Sequence, residues 1–200
     1  MKHIFEKGSN PDKPTFLVLH GTGGTETDLL PIARHIDREA SILSVRGNVS
    51  ENGMPRFFRR LSEGVFDMAD LKERTAELYD FIDTAAKDYG FDRNNVIAIG
   101  YSNGANIAGN LLFSYQNSLK AAILHHPMVP NREADIPNLT DVPIFITAGT
   151  NDPICPAEES EELKELLEGA GAHVQLHWEH YGHQLTMPEV EAAKDWYDHL

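Results

Sequence analysis

Val96-Ile97-Ala98-Ile99-Gly100-Tyr101-Ser102-Asn103-Gly104 is the stretch whose reading decides the fold. The apolar run Val96–Ile99 predicts a buried strand, and helical patterning resumes just beyond Gly104. A serine on a sharp turn between a strand and a helix is the setting of a nucleophile elbow. The turn strains the serine backbone, and only small residues two places before and after it let the chain pass. Gly100 and Gly104 occupy those places. Two glycines around a serine also occur by chance in ordinary strand-to-helix turns. The flanking strand and helix are what favour the elbow.

Working outward, the partners of such a serine fall in a fixed chain order, acid first and histidine last. The next strand signal, Pro143–Ala148, runs into Gly149-Thr150-Asn151-Asp152-Pro153. Asp152 therefore lies past a strand's C-terminal end, where open α/β sheets gather their sites. Taken alone it reads equally as an Asp-Pro turn residue. The alternating segment Val174–Trp178 leads to Tyr181-Gly182-His183-Gln184. Ser102, Asp152 and His183, each at a strand end and in this order, point to a nucleophile, an orienting carboxylate and a general base. Early in the chain, Thr15–His20 predicts a strand that ends in Gly21-Thr22-Gly23-Gly24. A glycine-rich loop there can aim a backbone N–H at an oxyanion, with a second donor from Asn103 after the nucleophile. The alternative, a phosphate-cradling loop, lacks the Gly-Lys-Ser/Thr ending and the dinucleotide spacing.

The 200 residues suit one domain, residues 1–200, with a real core, and 41% are apolar. A formal charge of −14 disfavours nucleic acid and anionic membrane surfaces as partners. One cysteine excludes an internal disulfide and fits a reducing compartment. The first residues, Met1–Lys7, are too polar for a signal peptide, and no apolar run reaches the ~20 residues of a membrane span. The expected location is the cytoplasm. Strand signals near 2–6, 15–20, 41–46, 96–100, 120–125, 143–148 and 173–178 alternate with helical signals near 25–38, 68–89, 104–116, 157–170 and 188–199. That alternation predicts an α/β fold with a mostly parallel sheet of about seven strands, wrapped on both faces. Residues 47–67 are irregular, and a loop of that length in a compact domain is usually functional.

These residues together resemble a known family. His20–Gly24, Arg46-Gly47, Asn52-Gly53-Met54, Gly100–Gly104, Gly149–Pro153 and Gly182-His183 are similar, in order, to the α/β-hydrolases of the small phospholipase/carboxylesterase group. That group is related to the acyl-protein thioesterases and more loosely to the dienelactone hydrolases. The resemblance implies a serine hydrolase without a separate lid domain. It implies a nucleophile at Ser102, an acid at Asp152, a base at His183, and oxyanion donors at Thr22 and Asn103. It requires no cofactor and no metal. The thioesterases of the group carry Gln after the nucleophile and an aromatic-Asp pair after the Asn-Gly-Met segment. Asn103 and Phe57-Phe58-Arg59-Arg60 stand there instead, which is closer to a bacterial carboxylesterase branch. The expected reaction is hydrolysis of small to medium acyl esters through an acyl-enzyme. Thioesterase, lysophospholipase and lactone hydrolase activities use the same triad, and a non-catalytic ligand-binding α/β-hydrolase is the alternative of another class.

Met54, Phe57, Phe58, Phe66, Met128, Ile154 and Leu185 are candidates for an apolar substrate wall, with core packing as the other reading of each. Arg46, Arg56, Arg59 and Arg60 form the one dense cationic group. Pairing with acids such as Glu51, Glu63 and Asp67 is favoured over capture of a substrate anion. His125, His126, His177, Glu179 and His180 lack zinc-type spacing, and strand alternation turns His180 away from His177 and Glu179. Cys155 reads as a small packed residue. The expected partner is a small-molecule ester, and a lid-less esterase of this kind is compatible with a homodimer.

Overall fold

The computed structural model describes all residues 1–200. Five residues of β2 (Thr15–Leu19) are buried without exception, as a strand covered on both faces requires. It sits in a seven-stranded sheet with β1 (His3–Glu6), β3 (Ser41–Val45), β8 (Val96–Tyr101), β9 (Ala121–His125), β10 (Pro143–Gly149) and β11 (His173–Glu179). The order is β1-β3-β2-β8-β9-β10-β11. Only β1 runs antiparallel, against β3 with His3 opposite Val45. The other neighbours are parallel. Each strand lies within a residue or two of its expected position.

Helices cover both faces. Helix α2 (Met68–Tyr89), α3 (Asn103–Ser114) and α4 (Ala157–Gly169) pack on one side around Leu78, Leu111 and Leu163. Helix α1 (Leu30–Ile36) and α5 (Met187–Asp198) pack on the other around Ala33, Val190 and Phe16. Helix α2 matches its expected span because both ends carry stop signals. Asp67 accepts from the Asp70 N–H, and Gly90 ends the helix at φ 72°. Helix α1 is shorter than expected. Thr25 to Asp28 form a turn, with Thr25 Oγ1 donating to Asp28 Oδ1 at 2.8 Å, and Pro31 lies in the first helical turn.

The stretch 47–67 is not irregular. It folds into two hairpins, β4 (Val49–Glu51) with β5 (Met54–Arg56), and β6 (Arg60–Ser62) with β7 (Val65–Phe66). The first turns on Asn52-Gly53 at φ 52° and 82°, as a two-residue hairpin with positive φ at both centres demands. No helix is long and apolar enough to cross a membrane.

The sheet's connections place the site. From β2 the chain adds β3 on one side, then crosses back through α2 to add β8 on the other side of β2. The loops leaving β2 and β8 therefore diverge from adjacent strand ends, and a crevice opens there. The glycine-rich loop leaves β2 and the Ser102 turn leaves β8.

Candidate active site

Ser102 has φ 51° and ψ −113°, a strained conformation for a residue with a side chain. Its neighbours explain how the strain is held. A Cβ on Gly104 would sit 2.1 Å from the Leu19 carbonyl oxygen, and one on Gly100 would meet the Ala105 backbone at 2.7 Å. Helix α3 is thus pressed directly onto β2 and β8, and no side chain fits between them. The Ser102 N–H donates to the His125 carbonyl at 2.9 Å, which ties the turn to β9.

The three residues picked out by chain order meet in one hydrogen-bonded line. Ser102 Oγ donates to His183 Nε2 at 2.8 Å, and His183 Nδ1 donates to Asp152 Oδ2 at 2.6 Å. Asp152 lies in the loop after β10, and its Oδ1 accepts the N–H groups of Ile154 at 2.8 Å and Cys155 at 2.9 Å. Burial pushes the Asp152 carboxyl up. The Cys155 N–H, the His183 ring and the Ile154 N–H more than offset it, so its pKa is lowered and it is ionised. His183 is fixed from behind, because Tyr101 Oη donates to its carbonyl at 2.6 Å.

Opposite this line lies the loop Gly21–Gly24. His20 braces it: His20 Nδ1 donates to the Gly21 carbonyl at 2.6 Å, and the Gly47 N–H donates to Nε2 at 3.1 Å. Burial lowers the His20 pKa, which keeps the ring neutral and able to do both. Asn103 is the first residue of α3, so its N–H has no acceptor within the helix. The Asn103 side chain acts elsewhere, its Oδ1 accepting the Phe57 N–H at 2.7 Å.

The expected apolar wall divides. Phe57 and Phe58 are corrections: they are 1% and 0% exposed and belong to the core beneath the hairpins. Their side chains point inward because Asn103 and Arg56 hold the backbone of this segment against α3. Phe66 and Met128 line a cavity of about 720 Å³ with Met68, Leu71, Phe113 and Val129. Leu185 lines another of about 630 Å³, next to Thr22, Leu29, Ile32 and Tyr101. Met54 and Ile154 are exposed, Met54 packing over Gly23 and Ile154 following Asp152.

All four arginines are paired. Arg46 binds Glu26, Arg60 binds Glu51 at 3.0 Å, and Arg59 faces Asp67 and Asp70 at 3.6 and 3.2 Å. Glu51 and Asp67 serve as expected, Glu63 does not, and Glu26 and Asp70 are additional. Arg56 is buried; it donates to the Phe58 carbonyl and to Thr22 Oγ1, and lies 3.7 Å from Glu51. His177 pairs with Glu179 at 2.9 Å, while His180 turns to Thr150. Cys155 is packed, its thiol donating to the Pro127 carbonyl, and burial pushes it up to about 12.

His126, considered in the sequence only for metal spacing, stands beside Asp152, and Glu189, which motif and spacing do not single out, stands beside His126. His126 Nδ1 lies 3.2 Å from Asp152 Oδ2, and His126 Nε2 lies 2.7 Å from Glu189 Oε1. Glu189 has a readable local signal, because Thr186-Met187-Pro188-Glu189 is a capping box at the start of α5. His126, Asp152 and His183 bring their ligand atoms within 4.8 Å of one another. Both imidazoles turn Nδ1 toward the same carboxylate oxygen, which suits protons in hydrogen bonds better than lone pairs on a metal ion.

Residues 50–196 match the family described as the dienelactone hydrolase family. The Bacillus subtilis (strain 168) protein named "Putative hydrolase MhqD" is 58% identical over 197 residues, 98% of either chain. The crystal structure of the Bacillus cereus carboxylesterase is 66% identical, with a TM-score of 0.99 over 100% of this chain and 94% of that one. A carboxylesterase structure from Mesorhizobium loti is 26% identical, with a TM-score of 0.92 over 98% and 93%.

Proposed function

Because this chain belongs to the dienelactone hydrolase family, with the α/β-hydrolase fold and carboxylesterase-like relatives, we propose that it is a serine carboxylesterase acting on small to medium acyl esters. The observation that carries the reading is the line Ser102 Oγ–His183 Nε2 and His183 Nδ1–Asp152 Oδ2, at 2.8 and 2.6 Å, ending on a strained serine. His183 takes the Ser102 proton as Oγ attacks the ester carbonyl. Asp152 holds the ring in the tautomer that leaves Nε2 free and stabilises the imidazolium that forms. The N–H groups of Thr22 and Asn103 receive the oxyanion; loss of one such donor in comparable sites costs about 3–4 kcal/mol. His183 then protonates the leaving alcohol, and water attacks the acyl-enzyme by the same route in reverse. The cavity beside Thr22 and Leu185 has an apolar side suited to a short acyl or alcohol group. The buried lone cysteine suits a reducing cytoplasm as its location.

A lactone hydrolase is the second reading, favoured by the family match, and the same residues would open a cyclic ester. A fluorophosphonate probe tests the shared chemistry. Labelling at Ser102 that Ser102→Ala abolishes is the expected result, and folded protein that takes no label would leave only a ligand-binding role. His183→Ala is expected to remove p-nitrophenyl acetate hydrolysis while the chain stays folded. Parallel assays on p-nitrophenyl esters, acyl-thioesters and lactones then rank the substrate classes.

A further inference from the structure

Behind the line of Ser102, His183 and Asp152 lies a second imidazole–carboxylate pair that the esterase reading leaves without a role. The His126 side chain is 1% exposed and that of Glu189 is fully buried. We propose that His126, held as an imidazolium between Asp152 and Glu189, is a positioning residue that fixes the Asp152 carboxylate and moderates the negative charge facing His183. The proposal rests on the esterase reading above.

The hydrogen bonds of Asp152 are the first support. Oδ1 takes two backbone N–H groups, and Oδ2 takes Nδ1 of His183 at 2.6 Å and Nδ1 of His126 at 3.2 Å. A carboxylate with four donors arriving from three directions cannot swing. His126 is itself held in place. Its backbone sits at φ 52°, and its N–H donates to the Thr147 carbonyl at 2.8 Å. Residues with side chains keep such backbone angles where the surroundings enforce them.

Proton counting gives the charge. Glu189 Oε2 accepts from the Thr186 N–H at 2.7 Å and Thr186 Oγ1 at 2.8 Å, so its other oxygen is left to His126. Glu189 Oε1 and His126 Nε2 are 2.7 Å apart, and neither has another partner. The contact is off hydrogen-bond alignment, so it acts chiefly as an ion pair. A neutral ring carries one N–H and would present a bare nitrogen to one of the two carboxylates. With acids at both ends, the ring needs both protons. Burying an ionised carboxylate without a counter-charge is far costlier than burying the pair.

The other groups around the ring do not supply that counter-charge. His183 packs at 5.3 Å between ring centroids and Tyr101 at 6.0 Å. Burial, with Asp152 and Glu189 nearby, keeps the Tyr101 phenol neutral. His125 on β9 is buried and neutral, with its charge influenced further by His177 on β11. Burial alone would strip the proton from His126, but Glu189 and Asp152 reverse that and raise it above the ordinary histidine value. A cation on the far side of Asp152 makes that carboxylate a weaker attractor of the proton on His183.

Two measurements test this. In the whole wild-type protein, nitrogen-15 spectra of the histidine rings are expected to show both His126 nitrogens protonated at neutral pH. A single neutral tautomer there would overturn the proposal. Replacing His126→Gln together with Glu189→Gln removes one positive and one negative charge, so the net charge of the buried cluster is unchanged while Asp152 loses its neighbouring cation. The acid limb of kcat/KM for p-nitrophenyl acetate is expected to move up by about one pH unit. A folded double variant whose activity falls equally at every pH, with the limb unmoved, would make the pair merely structural and sink the idea. Fluorophosphonate labelling of wild type separates the two failures: absence of label removes the esterase reading, whereas a labelled enzyme with an unmoved limb removes only this one.

Discussion

Tyr101 and His183 are joined by a 2.6 Å hydrogen bond from the phenol to the His183 main-chain carbonyl. The residue just before Ser102 thus anchors the loop that carries His183, 82 positions later in the chain. This bond adds to those from Ser102 and Asp152 that hold the His183 ring.

Tyr101→Phe keeps the ring packing and deletes that bond. A net hydrogen bond is worth about 1 kcal/mol, so kcat for p-nitrophenyl acetate is expected to fall roughly five-fold. KM is expected to change little, since no substrate contact is removed. Steady-state kinetics at saturating ester decides it; an unchanged kcat would mean that other contacts position the His183 loop.

Arg56 joins the hairpin segment to the glycine-rich loop through the Phe58 carbonyl and Thr22 Oγ1, and its side chain is 4% exposed. Arg56→Met is expected to cost about 2–3 kcal/mol in urea unfolding, because two acceptors lose their donor. Since Thr22 is then less firmly held, kcat is expected to fall by about ten-fold as well. Loss of stability with undiminished kcat would show that the loop is positioned without Arg56.

The close approach of α3 to β2 gives a sharp contrast between two glycines. Gly104→Ala places a methyl 2.1 Å from the Leu19 carbonyl oxygen and is expected to cost about 4 kcal/mol or more. Gly169→Ala, at the end of α4, meets nothing within 4 Å and is expected to add ~0.5 kcal/mol. Thermal melts of both variants test the pair, and a stable Gly104→Ala would contradict the tight elbow.

Acid stability follows from His125 and Glu189. Burial lowers His125 from 6.5 to about 4, so the native ring stays neutral while the unfolded ring takes a proton near 6.5. In that window the unfolded state binds more protons, and stability falls as pH drops. The full effect is about 3 kcal/mol, complete near pH 4. Burial raises Glu189 but His126 and Thr186 bring it down to about 2, so its contribution is present above 4.5 and is lost as pH falls toward 2. Unfolding free energies for wild type and His125→Gln between pH 6.5 and 4 are expected to differ in slope, the variant being flatter. Parallel curves would assign the acid sensitivity elsewhere.

The strands of the sheet are legible in the chain because buried parallel strands are nearly continuous apolar runs, as Thr15–Leu19 and Val96–Ile99 are. The Asn52-Gly53 hairpin carries its own signal, which is masked because the surrounding segment has no apolar alternation. Phe57 and Phe58 are ambiguous in sequence, because an aromatic residue near a site is equally fit for wall or core. Only the bonds from Asn103 and Arg56 to the backbone on either side send those rings inward.

The sequence by itself determined the alternating α/β architecture, the serine turn, and which aspartate and histidine follow it, since each is written in local pattern and chain order. The tertiary structure decided that His126 and Glu189 stand behind Asp152, that Tyr101 holds the His183 loop, and that four arginines are already paired. The first two relations join strand ends and helices distant along the chain. Their partners, charges and directions arise from the packing of the sheet, and no local periodicity encodes them.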